Sequence, residues 1–71
     1  MAECTHCHRA LVVSYGAVVE LVQNREVIRK ASLFGLHHEC ACHWAQAENE
    51  RLRQEFGDSD FGFISRVAVE H

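Results

Sequence analysis

The chain has no proline, and its 71 residues contain neither a low-complexity segment nor an internal repeat. Its apolar content of 48% is ordinary for a folded protein, so the composition excludes a disordered tail. No apolar run approaches the roughly 20 residues that a membrane-spanning helix needs, and we therefore expect no association with a membrane. A chain this short has a marginal core, and below about 70–80 residues a disulfide, a metal or a partner usually stabilises the fold.

Basic residues are few, and they do not cluster. The formal net charge is −3 and the pI is near 6.0, whereas a general nucleic-acid-binding protein normally carries a basic face. The cations are scattered along the chain, at Arg9, Arg25, Arg29, Lys30, Arg51, Arg53 and Arg66. This distribution argues against nucleic-acid binding as the main activity.

The N-terminal segment lacks the basic and apolar stretches of a secretory signal, and it reaches Cys4 almost at once. We therefore expect a cytoplasmic protein with reduced thiols, in which closely spaced cysteines favour a metal over disulfides. A disulfide between Cys40 and Cys42 would be strained, and the βαβ setting of a redox-active C-x2-C is missing.

Four cysteine and histidine residues form two pairs with the spacing of metal ligands. Cys4 and Cys7 make a C-x2-C pair, and His37 and Cys40 make an H-x2-C pair after a spacer of 29 residues. Each pair places two donors within a few ångströms of each other, and the chain between the pairs can fold back to close a tetrahedral site. Thiolate and imidazole donors in such a site suit Zn²⁺, so the sequence predicts one structural zinc ion.

The identity of the fourth ligand stays open at this point. His37 is the first choice, because residues i and i+3 share one face of a helix and His37 can then reach the same ion as Cys40. His43 is the second choice, since it has the same spacing on the other side of Cys40. Cys42 is the third, because it can join Cys40 only if the helix begins irregularly.

The first half of the chain predicts a zinc knuckle at residues 1–9 and a β-hairpin at residues 11–31. The hairpin is rich in β-branched residues, and Gly16 marks a bend or bulge in its first strand. A turn at Asn24 and Arg25 gives three matched cross-strand pairs. These pairs are Val22 with Val27, Leu21 with Ile28, and Glu20 with Arg29.

The second half predicts one long α-helix at residues 36–56 and a C-terminal β-strand at residues 61–69. An apolar stripe defines the buried side of the helix, and Gly57 ends it. The stripe consists of Ala41, Ala45, Leu52 and Phe56, with Trp44 beside it. The third strand is expected to join the hairpin or cover the helix, so that residues 1–71 form a single zinc-stabilised α+β domain.

The order of knuckle, hairpin and ligand-bearing helix resembles a treble-clef zinc finger over residues 4 to about 50. The run from Leu36 to Ala41 is similar to the H-x2-C half of small treble-clef fingers and of the first zinc module of LIM domains. The spacer is longer than a typical LIM module allows and the second LIM zinc set is absent, so the resemblance is to the general class. It implies a treble-clef-like fold around one zinc ion.

These features predict a protein-interaction module, an adaptor or inhibitor of a larger protein, and not an enzyme. Because small fingers are common among phage and bacterial accessory proteins, a phage-encoded inhibitor of a host nucleic-acid-handling system is the specific expectation within this class. The alternative is a regulatory nucleic-acid-binding finger that uses Arg25, Arg29 and Lys30. The third strand could also pair with a second copy to form a homodimer.

Overall fold

A computed structural model describes residues 2–57 and 61–70 of the chain, so Met1, the predicted loop at 58–60 and His71 lie outside the described residues. The elements are β1 (Tyr15–Gln23), β2 (Glu26–Leu36), α1 (His38–Phe56) and β3 (Gly62–Val69). The strands form one antiparallel sheet in the order β2-β1-β3, and α1 packs on one face of it. The predicted α+β class and the addition of the third strand to the hairpin are therefore confirmed.

The bounds of the hairpin differ from the predicted range of 11–31. Strand β1 begins only at Tyr15, because the preceding residues connect the N-terminal turn to the sheet and Leu11 donates its N–H to the Ala2 carbonyl at 3.0 Å. Strand β2 continues to Leu36, five residues beyond the predicted end. This extension brings the end of β2 directly to the predicted ligand His37.

The predicted turn at Asn24 and Arg25 is confirmed, but the predicted register fails beyond its first pair. Both turn residues have positive φ angles, of 52° and 66°, as in the tight turns that match the twist of a hairpin. Val22 faces Val27 as predicted. A bulge then shifts the register by one residue, so that Leu21 faces Arg29 and Glu20 faces Lys30.

The bulge has a packing reason. In the shifted register Ala31 lies opposite Val19, and Leu33 lies opposite Ala17, on the face that the helix covers. Without the extra residue, Lys30 and Ser32 would occupy those two half-buried positions. The second irregularity, between Tyr15 and Ala17, confirms the bend predicted at Gly16, where the Phe34 ring fills the space of a side chain.

The core lies between β1 and α1. Ala17, Val19 and Leu21 of β1 are fully buried. From the predicted helical stripe, Ala41, Ala45 and Leu52 are buried, while Phe56 and Trp44 are half-buried. The helix ends as predicted, because Gly57 has a positive φ of 74° and donates its N–H to the Arg53 carbonyl. Within the described residues, no helix has the length and apolarity to cross a membrane.

Replacement of Leu21 by alanine is expected to lower the free energy of unfolding by about 2–5 kcal/mol, because it opens a cavity in the centre of this core. Ile64→Ala is the matched control, since Ile64 lies on an outer strand with 38% of its surface exposed, and its loss should be below about 1 kcal/mol. Urea denaturation of the metal-loaded variants measures both. Equal losses of stability in the two variants would mean that Leu21 does not lie at the centre of the core.

Candidate metal centre

The first ligand pair lies in a tight turn that closes on itself. Cys4 donates its N–H to the Arg9 carbonyl at 2.8 Å, and His8 donates its N–H to the Cys4 carbonyl at 2.9 Å. His8 adopts the left-handed conformation, with φ of 65°, which lets the chain reverse. The turn brings the Cys7 N–H to 3.5 Å from the Cys4 sulfur, so that both thiols point to the same place.

The second pair lies where β2 passes into α1. His37 is the N-cap of the helix and has an extended conformation, and its carbonyl accepts the N–H of Ala41 at 2.9 Å. Cys40 lies in the first turn. The predicted start of the helix at residue 36 is therefore two residues too early, yet the i,i+3 spacing still places both donors on one side.

The structure brings Cys4, Cys7, His37 and Cys40 together, and one ligand atom from each lies within 4.8 Å of all the others. The Cys4 side chain is fully buried and the other three are half-buried. Donors bound to one tetrahedral zinc ion lie about 3.5–3.8 Å apart, and the Cys7 sulfur is 3.3 Å from Nδ1 of His37. These four residues could hold one metal ion.

A backbone contact fixes the orientation of the His37 ring. Nε2 lies 3.0 Å from the carbonyl oxygen of Ala10. Because a carbonyl only accepts hydrogen bonds, Nε2 carries the proton and Nδ1 presents its lone pair to the thiols. A hydrogen bond of this kind on the distal nitrogen is the usual support of a metal-binding histidine. Nδ1 is therefore the atom that His37 would offer to a metal ion.

The surroundings of the thiols favour thiolate at two positions. Burial alone would raise the pKa of Cys4, but hydrogen bonds from the backbone of Cys7, His37 and His6 outweigh it and lower that pKa to about 5. The backbone N–H of Arg9 likewise lowers the pKa of Cys7 against the effect of burial. Backbone donors aimed at sulfur are what a thiolate ligand requires.

The pKa values of Cys40 and of His37 are both raised in this cluster. Burial and, after it, the neighbouring thiols of Cys4 and Cys7 together raise the pKa of Cys40 to about 11. The Ala10 carbonyl and then the thiols raise the pKa of His37. A third thiolate in this position needs a cation beside it, and a divalent metal at the centre of the four donors would supply that charge.

The alternative ligands lie outside the cluster. Cys42 and His43 are exposed on α1, and neither belongs to the group of donors found within the described residues. Cys42 points away because a regular helix turns by about 200° over two residues, and His43 lies a further turn from the knuckle. His38 packs its ring against Tyr15 instead, with the ring centroids 5.1 Å apart.

Sequence reasoning missed the contacts that connect this centre to the sheet. Thr5 donates its N–H to the Gly35 carbonyl at 2.8 Å, and its hydroxyl donates to the Phe34 carbonyl at 3.0 Å. A carboxylate oxygen of Glu70 accepts the N–H of Gly35 and the hydroxyl of Ser14, at 2.7 and 2.8 Å. These partners lie 29 to 56 residues apart in sequence, and no local pattern links them.

No protein-family model matches the chain, and neither a curated protein nor a solved structure is significantly similar to it.

Proposed function

We propose that the chain is a cytoplasmic zinc-stabilised interaction module, an adaptor or inhibitor that acts by binding a larger protein. Three thiols and one imidazole around one point form a donor set that suits Zn²⁺. The knuckle, the hairpin and the ligand pair at the start of a helix support a treble-clef type of finger. The zinc ion joins the N-terminal turn to the sheet and the helix.

The number of donors supports a structural role for this ion. A catalytic zinc site has three protein ligands and keeps a fourth position for water or substrate. Here four side chains converge, so a tetrahedral ion has no coordination position left for water or substrate. The site stabilises the fold, and binding must take place on another surface.

The observation that carries the interaction proposal is an apolar groove on the face of the sheet that α1 leaves uncovered. The groove has a volume of about 400 Å³. Phe34 forms one wall, and 54% of its surface is exposed although it is a large apolar residue. The other apolar lining residues are Gly16, Val18, Ala68 and Val69.

Such a groove fits an apolar side chain of a partner protein. Concave apolar sites with a polar rim are the usual form of interaction hot spots, and Arg66 and Glu70 supply the rim. The net charge of −3 favours a partner whose surface around the contact is basic. A nucleic-acid-handling protein has such a surface.

Phe34→Ser is expected to abolish capture of the partner from an extract of the source organism, because it removes the wall of the groove. Val27→Ser is the matched control, since Val27 is an apolar residue of the same strand with 50% exposure and lies outside the groove. Quantitative proteomics on the zinc-loaded wild type and both variants measures the capture, and zinc content checks the fold. Equal capture by the three proteins would rule out the groove as the binding site.

The nucleic-acid-binding alternative depends on Arg25, Arg29 and Lys30 acting together. Arg29 packs over the Phe56 ring at 5.4 Å on the helix side, whereas Lys30 lies opposite Glu20 on the other face of the sheet. The three cations therefore do not form one stripe. Recovery of DNA or RNA with the wild type, with a steep loss of binding at higher salt, would favour this alternative.

A further inference from the structure

We propose that β3 is the dimerisation edge of this protein, where it pairs with β3 of a second copy to form a continuous six-stranded sheet. The two outer strands of the sheet, β2 and β3, differ in how well their free edges are protected against pairing with another strand. Because unpaired edges attract other strands, proteins usually protect them with charges, bulges or covering segments.

The edge of β2 carries all three kinds of protection. Arg29 and Lys30 place charges on it, and the bulge next to Val27 distorts it. At its far end Thr5 binds the carbonyl groups of Phe34 and Gly35.

Among the described residues, the edge of β3 carries neither a bulge nor a covering segment. Its pairing with β1 runs from Gly62 to Val69 without a register shift, and Arg66 is its one charged residue. Glu70, the residue after β3, donates its N–H to the carbonyl of Ser14, the residue before β1. Because the direction of these groups alternates along a strand, the odd-numbered residues of β3 point their N–H and C=O groups outward.

Among the registers that a two-fold antiparallel pairing of this edge allows, one is favoured. Pairing must place odd residues opposite odd residues, so that outward groups bond and both helices cover the same face. With Ser65 opposite Ser65 of the second copy, all of β3 takes part and Phe63 faces Val67. The other register of similar length places Arg66 opposite Arg66, where like charges repel.

The chosen register also continues the buried face across the two copies. Leu21 lies beside Phe63 within one sheet, and Val67 lies beside Ala17. When Phe63 of one copy meets Val67 of the other, these two pairs join into one apolar row under the helices. Aromatic and β-branched side chains make favourable cross-strand pairs of this kind.

A groove between α1 and β3 provides an independent sign that this edge is incomplete. It has a volume of about 380 Å³ and opens beside Ser65. Asn49 lines it, and Oδ1 of Asn49 is buried without a hydrogen-bond donor within the part of the chain that the structure describes. Such an atom normally has a partner, and a second copy would bring further donors to this groove.

Ser65→Pro tests the proposal directly. Proline removes an N–H that points outward, so the pairing of β3 with β1 stays intact while the hydrogen bonds at the two-fold axis are lost. We expect the zinc-loaded wild type to have close to twice the 8.1 kDa mass of one chain in sedimentation equilibrium. Ser65→Pro should raise the dissociation constant at least about tenfold, while the control Ser65→Thr, which keeps the N–H, should not.

A disulfide tests the register. In a Cys42→Ser background, Ser65→Cys places two thiols opposite each other about 5.5 Å apart at Cα, within reach of a disulfide, and oxidised glutathione should yield a covalent dimer. Val69→Cys is the control, because its two copies would lie about 27 Å apart. A monomeric wild type, an unaffected Ser65→Pro variant, or equal cross-linking at both positions would overturn the proposal without bearing on the groove around Phe34.

Discussion

Removal of the metal by a strong chelator is expected to convert the folded protein into an unfolded or molten chain. Zinc binding in isolated fingers contributes about 10–16 kcal/mol at pH 7, whereas a domain of this size has a net stability of about 5 kcal/mol. The free energy contributed by zinc binding therefore exceeds the whole net stability of the domain. The core that remains is small, because three of its buried residues are the alanines Ala17, Ala41 and Ala45, and we do not expect it to hold the N-terminal turn against the sheet.

Circular dichroism and proton NMR measure this effect. The apo protein should lose the dispersed side-chain signals of a packed core, and excess zinc should restore them. The control is the same chelator already saturated with zinc, which should change nothing. An apo protein with the spectra of the zinc-loaded form would mean that the metal has no structural role.

Cys4→Ser should abolish the fold at neutral pH, whereas Cys42→Ser should leave it intact. Cys4 is a fully buried member of the donor cluster, and its replacement leaves three ligands and a buried hydroxyl. Zinc affinity should fall by more than about 100-fold, since even a change beyond the ligands themselves costs about 10–100-fold. Cys42 is exposed and lies outside the cluster. The free energy of unfolding of Cys42→Ser should therefore differ from that of the wild type by less than about 0.5 kcal/mol.

The same comparison decides the fourth ligand. His37→Ala should lose zinc affinity as Cys4→Ser does, whereas His43→Ala, on the exposed side of α1, should bind zinc like the wild type. Competition with a chromophoric chelator measures each affinity. A variant at residue 43 that loses zinc, together with a variant at residue 37 that retains it, would refute the assignment.

Local signals in the sequence were sufficient for several features. The turn at Asn24 and Arg25 and the end of the helix at Gly57 follow from the conformations that those residues accept. The spacing of His37 and Cys40 is fixed by the geometry of one helical turn. In each case the relevant physics lies within about four residues.

Other features depend on distant parts of the chain. The predicted pair of Leu21 with Ile28 matched chemistry across the hairpin, but burial against a helix twenty residues away decides the register. The Ala10 carbonyl that orients His37 and the Glu70 carboxylate that holds Gly35 become neighbours of the site only in the folded chain. A prediction made from the local sequence of one strand or helix does not include such contacts.

Zinc K-edge X-ray absorption of the purified protein tests the central claim most directly. The account predicts a bound zinc ion with three sulfur donors at about 2.3 Å and one nitrogen donor at about 2.0 Å. A protein without zinc, or a coordination shell with a water oxygen in place of a side chain, would contradict a closed structural site at Cys4, Cys7, His37 and Cys40.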